Sequence, residues 1–196
     1  MDGLELDLET HRYTYDGQPV GGVSEILQSL GIVESQWFND YAMSRGTAVH
    51  SAIEYMLRGK LDWRSVDERI KGYVEAAVSF MDAAGIPASP LKLIERPVYH
   101  ATWRYAGMPD LIAVAFGELS TVDWKSGGLG HAGMALAAYE SAYRVSNGLT
   151  RPLRRMAVQL KPDGSFKKTD YVDPHDYIDW QACCLIYNRY LINRRR

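Results

Sequence analysis

The sequence has very little cysteine. Cys183 and Cys184 are the only two among 196 residues, and they are adjacent. Adjacent cysteines give neither a disulfide framework nor the CxxC spacing of a metal clip. The composition therefore excludes an iron–sulfur cluster and a zinc site made of cysteines.

Long apolar segments are also missing. No uninterrupted apolar run is longer than that from Leu111 to Phe116, whereas a membrane-spanning helix needs about 20 such residues. The first residues, Met1 to Glu5, have neither the basic nor the apolar region of a signal peptide. We therefore expect neither membrane insertion nor secretion, and no membrane partner.

Charge is unevenly distributed along the chain. Residues 1–139 contain 11 Lys and Arg against 18 Asp and Glu, whereas residues 140–196 contain 11 against 6. This division is compatible with an acidic, cation-binding site beside a basic surface that takes phosphates. A solvated basic face without a partner gives the same pattern, so the charge alone does not choose between them.

The order of periodic segments predicts one α/β domain that covers residues 1–196. The expected elements are, in chain order, a small peripheral hairpin in residues 1–22, helices near 24–30, 35–57 and 66–84, strands at 91–100, 105–116 and 119–125, a helix at 132–145, strands at 153–160 and 166–172, and a peripheral C-terminal helix at 174–193. The run from Leu111 to Phe116 is apolar on both faces of a strand. It predicts a central mixed sheet flanked by helices on both faces.

Two acidic residues and a lysine form the most informative cluster. Asp110 follows a Gly-Met-Pro bend, and Asp123 and Lys125 alternate on the next strand, so their side chains share one face. Carboxylates that collect a hard cation, beside an amine, suit hydrolysis of a phosphodiester. A surface ion pair at a strand end would also explain Asp123 and Lys125 by themselves.

An upstream helix offers a third ligand type. Gly46 and His50 lie four residues apart on one helical face, where the glycine would allow close approach to the sheet and the imidazole could reach a metal. Glu54, one turn later, could orient the imidazole ring. A histidine at the edge of the core and an exposed helical glutamate are the alternatives.

These segments together resemble a known nuclease superfamily. The segments are Gly46-Thr47-Ala48-Val49-His50, then Glu95, then Gly107-Met108-Pro109-Asp110, then Asp123-Trp124-Lys125, then a helix carrying Tyr139. In order and spacing they are similar to the PD-(D/E)XK superfamily, in particular its RecB-like branch, which includes short phage-encoded exonucleases. The resemblance implies a restriction-endonuclease-like core and spans roughly residues 40–160.

The resemblance also implies roles for individual residues. It assigns Lys125 as the catalytic lysine, next to Asp110 and Asp123. One or two Mg²⁺ or Mn²⁺ ions would be held by His50, Asp110, Asp123 and the backbone carbonyl of Trp124. Glu95 would hold a second metal or form a salt bridge at the strand edge.

The chain departs from the family pattern on the helix after the lysine. Relatives have Gln-x-x-x-Tyr there, whereas this sequence has Ala135 four residues before Tyr139. Tyr139 is retained as a candidate contact to DNA. The contact that the glutamine makes to DNA or to the lysine is therefore not predicted here.

Basic residues after the catalytic segment suggest a path for nucleic acid. We expect Arg144, Arg151, Arg154 and Arg155 to line the route of the phosphate backbone, a type of contact that fixes position without reading sequence. Solvation at the surface is the alternative for such residues.

The expected function is a divalent-metal-dependent DNA nuclease. The resemblance points to an exonuclease on DNA ends or single strands, in phage recombination, replication or repair, in the cytoplasm of a bacterial or phage-infected cell. It also allows a homo-oligomer or a recombination partner. The alternative is a weak or inactive protein of the same fold that binds DNA as an accessory.

Overall fold

The structure is a computed structural model that describes residues 3–33 and 40–192. Its strands are β1 (Leu4–Asp7), β2 (Arg12–Tyr15), β3 (Gln18–Gly22), β4 (Leu93–Ile94), β5 (Val98–His100), β6 (Tyr105–Gly107), β7 (Leu111–Ala115), β8 (Glu118–Lys125), β9 (Arg154–Leu160) and β10 (Phe166–Asp170). Its α-helices are α1 (Val23–Ser29), α2 (Asp40–Leu57), α3 (Glu68–Ala84), α4 (Ala132–Ser146) and α5 (His175–Ile186). A 3₁₀ turn spans Trp63–Ser65 and a π-helical segment spans Tyr187–Leu191. In the described ranges, no helix is long and apolar enough to cross a bilayer.

The strands form two five-stranded mixed sheets. The first sheet has the order β1-β2-β3-β6-β5, and the second has the order β10-β9-β8-β7-β4. Each contains one parallel pair, β3 with β6 and β8 with β9, while the other pairs are antiparallel. Helix α4 is the crossover between the parallel strands β8 and β9, as parallel neighbours require. The predicted α/β class is confirmed, with two mixed sheets where one central mixed sheet was expected.

Two segments that the sequence predicts as single strands are each divided between the sheets. The segment 91–100 gives β4 in the second sheet and β5 in the first, and the segment 105–116 gives β6 in the first and β7 in the second. Pro97 and Pro109 lie in the two breaks, where a residue without an N–H interrupts the ladder. The two breaks lie side by side and carry Glu95 and Asp110.

Helices cover both faces of the second sheet, as predicted. Alternate residues of β7, β8 and β9, such as Leu111, Trp124 and Met156, pack with α2 and α3. The residues between them face the other way, so that Ile112 packs in the cluster of α1, α4 and α5, and Ala157 packs on α4. Asp123 and Lys125 belong to this second face, because they alternate with Trp124 along β8.

The two ends of the chain differ from the prediction of peripheral additions. The Asp16-Gly17 turn connects β2 to β3, so the expected hairpin has a third strand, and β3 pairs with β6 inside the first sheet. At the other end, the side chains of Trp180 and Tyr187 are buried in the cluster around α4. Both ends are therefore integral to the packing. Residues 35–39 of the predicted helix 35–57 lie outside the described residues.

Two helical glycines have different surroundings. A Cβ at Gly72 in α3 would lie 1.8 Å from the carbonyl oxygen of Pro162, so this helix approaches the β9–β10 turn backbone to backbone. A Cβ at Gly46 in α2 would meet only the Ser126 hydroxyl, at 3.8 Å, which is an ordinary contact. The expectation that Gly46 allows close approach to the sheet is therefore wrong, and Gly72 has that role between α3 and the turn.

We expect Gly72→Ala to lower the free energy of unfolding by about 1–3 kcal/mol, because the added methyl group overlaps a backbone oxygen. Gly46→Ala is the matched control, since it also replaces a glycine inside a helix. It should raise the free energy of unfolding by about 0.5–1 kcal/mol through the higher helix propensity of alanine. Urea unfolding monitored by circular dichroism measures both values, and equal effects of the two substitutions would contradict the assignment.

Candidate metal centre

Asp110 is the buried centre of the predicted cluster. It precedes β7, and because Leu111 pairs with Val122, Asp110 lies opposite Asp123 on the neighbouring strand β8. Its Oδ2 accepts a hydrogen bond of 2.6 Å from the backbone N–H of Trp124. A hydrogen bond to a charged group contributes about 1.5–3 kcal/mol, so this contact fixes the carboxylate between the two strands.

Asp123 and Lys125 form a close pair beside Asp110. The Lys125 Nζ lies 2.8 Å from Asp123 Oδ2, and the Asp123 side chain is only 6% exposed. The two residues share a face of β8, and the lysine chain folds back along the strand to reach the carboxylate. The predicted common face of Asp123 and Lys125 is thus present, with the amine against the acid.

His50 approaches Asp110 from helix α2, and Glu95 approaches it from the residue that follows β4. The Nδ1 of His50 lies 3.4 Å from Asp110 Oδ1 and 3.8 Å from Glu95 Oε1. Helix α2 covers the face of the second sheet opposite to the face of Asp123 and Lys125. The imidazole therefore reaches Asp110 at the start of β7. One ligand atom from each of these three side chains lies within 4.8 Å of the others, a grouping that could hold a metal ion.

The backbone at Glu95 supports this placement. Glu95 has a φ of +39°, a left-handed conformation that is uncommon for a residue with a side chain. Its N–H donates to the carbonyl oxygen of Asp110 at 3.1 Å. The strained conformation turns Glu95 out of the strand direction and toward His50, and such strain is frequent at functional sites.

The close spacing of the buried acids shifts the pKa values within the cluster. The charge of Asp110 raises the pKa of His50 to about 11 against the opposing effect of burial. Burial, together with the charge of Asp110, raises the pKa of Glu95 to about 7. Burial also raises the pKa of Asp123, and the charge of Asp110 adds to that effect. Without a metal, a protonated imidazole therefore neutralises part of the negative charge.

Asp110 and Lys125 remain ionised in this setting. Burial by itself raises the pKa of Asp110, but His50, Lys125 and the Trp124 N–H outweigh it, so the pKa lies below its usual value. Burial by itself lowers the pKa of Lys125, but Asp123 and Asp110 outweigh it, so the pKa lies above its usual value. The amine at the site is thus an ammonium group, suited to stabilising negative charge.

The donor set fits a hard divalent cation. Three carboxylates and one imidazole offer oxygen and nitrogen ligands of the kinds that Mg²⁺ and Mn²⁺ accept. Asp123 Oδ2 is buried and has no hydrogen bond of good geometry in the described part of the chain, although the Lys125 amine is close. A bound cation beside Asp110 would give this oxygen a partner.

Glu54 does not orient the His50 ring as expected. Its carboxylate accepts from Arg58 at 2.8 Å, and the Arg58 guanidinium also donates to the carbonyl oxygen of Ile94 at 3.1 Å. Glu54 and Arg58 therefore attach α2 to β4, one residue before Glu95. The prediction for Glu54 is corrected, because its charge is committed to Arg58.

The four predicted phosphate contacts differ in their surroundings. The prediction that Arg155 contacts phosphate at the surface is wrong, since its side chain is only 3% exposed. Its guanidinium donates to the carbonyl oxygens of Gly133 and Asp173 and to the carboxylate of Asp176. The other three arginines lie nearer the surface. Arg144 pairs with Glu140, Arg154 pairs with Asp170, and Arg151 is exposed. Their contacts to DNA stay predictions.

Arg45 and Gln159 hold the loop after Lys125, and the sequence predicted no role for either. The Arg45 guanidinium donates to the Ser126 carbonyl at 3.0 Å, and the Gln159 amide donates to the Gly127 carbonyl at 2.8 Å. Gln159 pairs with Lys125 in the parallel register of β8 and β9. No local sequence signal identifies Gln159, because only the strand pairing brings it beside the lysine.

Comparisons with known proteins give partial support for a relationship to nucleases. No model of a known protein family matches the chain. The chain is 30% identical over 95 residues to mitochondrial genome maintenance exonuclease 1 of Homo sapiens. The match covers 45% of this chain and 26% of that protein, so the chain spans about a quarter of its relative. The similarity supports a relationship to nucleases.

We expect Mn²⁺ to raise the thermal midpoint of the wild-type protein. A cation that binds only the folded state stabilises it by about 2.7 kcal/mol at about 100 times its Kd. Asp110→Asn should lose this metal-dependent increment, and its stability without metal should fall, because His50 and Lys125 lose a buried charged partner. Differential scanning fluorimetry with and without Mn²⁺ measures both effects.

Glu118→Gln is the control for this experiment, because it replaces an exposed acid of the β7–β8 hairpin. It should retain the full increment of the wild type. A metal-induced shift that survives Asp110→Asn would place the cation elsewhere.

Proposed function

We propose that the protein is a divalent-metal-dependent DNA nuclease, an exonuclease on DNA ends or single strands that acts in phage recombination, replication or repair. The observation that carries the proposal is the convergence of Asp110, Asp123, His50 and Glu95 beside the ammonium group of Lys125. The nuclease relative supports the same reading. We further propose that residues 1–196 form one domain of this kind.

The proposed ligands are His50, Asp110, Asp123 and the carbonyl of Trp124, with Glu95 joining them or holding a second ion. A bound Mg²⁺ or Mn²⁺ would lower the pKa of an attacking water and neutralise charge on the phosphate. Asp110 is positioned for this role by the Trp124 N–H, and Asp123 by its place opposite Asp110 on the adjacent strand.

The chain's own residues supply the remaining chemistry. Lys125 carries a positive charge against Asp123, where it can stabilise the negative charge that develops on the phosphate oxygens. Arg45 and Gln159 hold two consecutive carbonyls of the following loop and so limit the positions that the Lys125 backbone can take. Tyr139 packs against Gly107 near the carboxylates, where its ring can contact the DNA strand.

We expect the wild-type protein with Mn²⁺ to degrade end-labelled linear single-stranded DNA and to leave closed circular single-stranded DNA intact. Lys125→Ala should reduce the rate by about 100-fold or more, as is typical when a charge-stabilising group is removed. Gel electrophoresis of the labelled products measures the rates and the dependence on ends.

Lys161→Ala is the matched control, since Lys161 is exposed on the β9–β10 turn. It should cut at the wild-type rate. Cleavage of the circle would indicate an endonuclease. DNA binding without cleavage in either metal would favour the alternative, an accessory protein of the same fold.

We expect Mn²⁺ to support at least as much activity as Mg²⁺. Imidazole suits Mn²⁺ better than Mg²⁺, whereas carboxylates suit both ions. Rates measured over matched concentrations of the two metals test this expectation. Activity with Mg²⁺ and none with Mn²⁺ would argue against His50 as a ligand.

A further inference from the structure

A cavity of about 800 Å³ lies between the first sheet and helix α2. Its volume is within the range of about 300–1,000 Å³ that small-molecule sites occupy. The N-terminal segment, helix α2 and the break between β6 and β7 all contribute to its lining. Among the lining residues are Arg12, Val23, Gln28, Met43, Thr47 and Met108. The proposed chemistry at the metal centre uses none of these six side chains.

The cavity adjoins the metal centre along α2 and along the strand break before Asp110. Met43 and Thr47 precede His50 by seven and three residues, so the three side chains share one face of α2. Met108 stands two residues before Asp110 in the break between β6 and β7. One wall of the cavity is therefore built from the segments that carry the ligands.

Two tyrosines, Tyr13 and Tyr139, also line the cavity. Tyr139 lines the cavity, and its ring lies 2.7 Å from where a Gly107 Cβ would be, so only glycine fits there. Burial raises the pKa of its phenol, and the charges of Asp123 and Asp110 add to that effect. Tyr13 lines the same cavity. Burial, together with the charge of Glu95, raises its pKa to about 12.

The lining offers groups suited to one nucleotide. Val23, Met43 and Met108 present apolar and polarisable surfaces, and methionine contacts aromatic rings favourably. Gln28 offers a hydrogen-bonding amide. Arg12 is exposed, and in the described ranges no carboxylate lies within salt-bridge distance of its guanidinium. Its charge is thus available for a phosphate.

Glu25 is the acid among the lining residues, and it is already engaged. It accepts from the Gly22 N–H at 3.2 Å and from the Tyr187 hydroxyl at 2.8 Å. These bonds attach the carboxylate to α1 and to the C-terminal segment. The anion-binding character of the cavity therefore depends on Arg12, with His11 beside it on the same turn.

We infer that this cavity binds the nucleotide next to the scissile phosphate, with its base against Met43 and Met108 and its phosphate at Arg12. The inference rests on the proposed nuclease function and deepens it. Recognition of this kind is independent of base identity, because it uses a phosphate charge and apolar contact with the base face. Residues from Thr10 to Gln28 then contribute to the substrate site.

The first test measures DNA binding in the cleavage-deficient Lys125→Ala background. Fluorescence anisotropy with a labelled oligothymidylate in Ca²⁺ gives the Kd at several salt concentrations. Adding Arg12→Gln should weaken binding roughly tenfold at about 0.1 M salt and lower the salt slope by about 1, the signature of one lost phosphate contact. Arg64→Gln is the matched control, since Arg64 is 93% exposed outside the cavity. Equal binding by the Arg12 and Arg64 variants would overturn the inference.

The second test locates the base. One abasic nucleotide is moved stepwise from the end of the oligonucleotide, and one position next to the cleaved bond should weaken binding. In Met43→Ala, the same abasic position should cost less than in the unsubstituted protein, because the contact is already lost. If the abasic nucleotide weakens binding by the same factor in Met43→Ala as in the unsubstituted protein at every position, the placement of the base is contradicted.

A third measurement separates this inference from the proposed function. Mn²⁺-dependent hydrolysis of bis(p-nitrophenyl) phosphate needs the metal centre and no neighbouring nucleotide. We expect the wild type and the control Arg64→Gln to hydrolyse it equally. If the wild type hydrolyses neither this ester nor DNA, the proposed function fails. If hydrolysis is normal and the DNA results are negative, only the cavity assignment fails.

Discussion

The structure depends on two carboxylates, Asp110 and Asp123, that are buried side by side on neighbouring strands. Burial of an unpaired charge is costly, so such a pair persists only when cations and hydrogen bonds surround it. The protein provides the Trp124 N–H and Lys125 from the same strands and His50 from another layer. Every element that brings one of these groups is held in place by packing elsewhere in the molecule.

The division of two strands between two sheets creates the place where this pair can exist. If segments 91–100 and 105–116 each continued as one strand, the acids at their centres would lie within a regular ladder. The breaks at Pro97 and Pro109 separate the sheets and leave Glu95 and Asp110 facing a gap that α2 can reach. The left-handed backbone at Glu95 is the local cost of that arrangement.

The same break explains why the two ends of the chain matter to the site. Strand β3 pairs with β6 immediately before the Gly107 bend, so the N-terminal strands lie against the segment that leads to Asp110. Tyr187, near the other end, donates to Glu25 at the start of α1. A hairpin predicted as peripheral thus lies beside the candidate metal centre, and the C-terminal segment supports it.

The sequence by itself determined the class of fold and the common face of Asp123 and Lys125. Alternation along β8 placed Asp123 and Lys125 on one face, and the apolar run in β7 indicated a sheet covered on both sides, because these are local periodicities. Tertiary structure alone decided the separation into two sheets, the partners of Glu54 and Arg155, and the position of Gln159 beside Lys125. Those features depend on contacts between residues far apart in the chain. Strand pairing and helix packing fix such contacts, and no short segment of sequence encodes them.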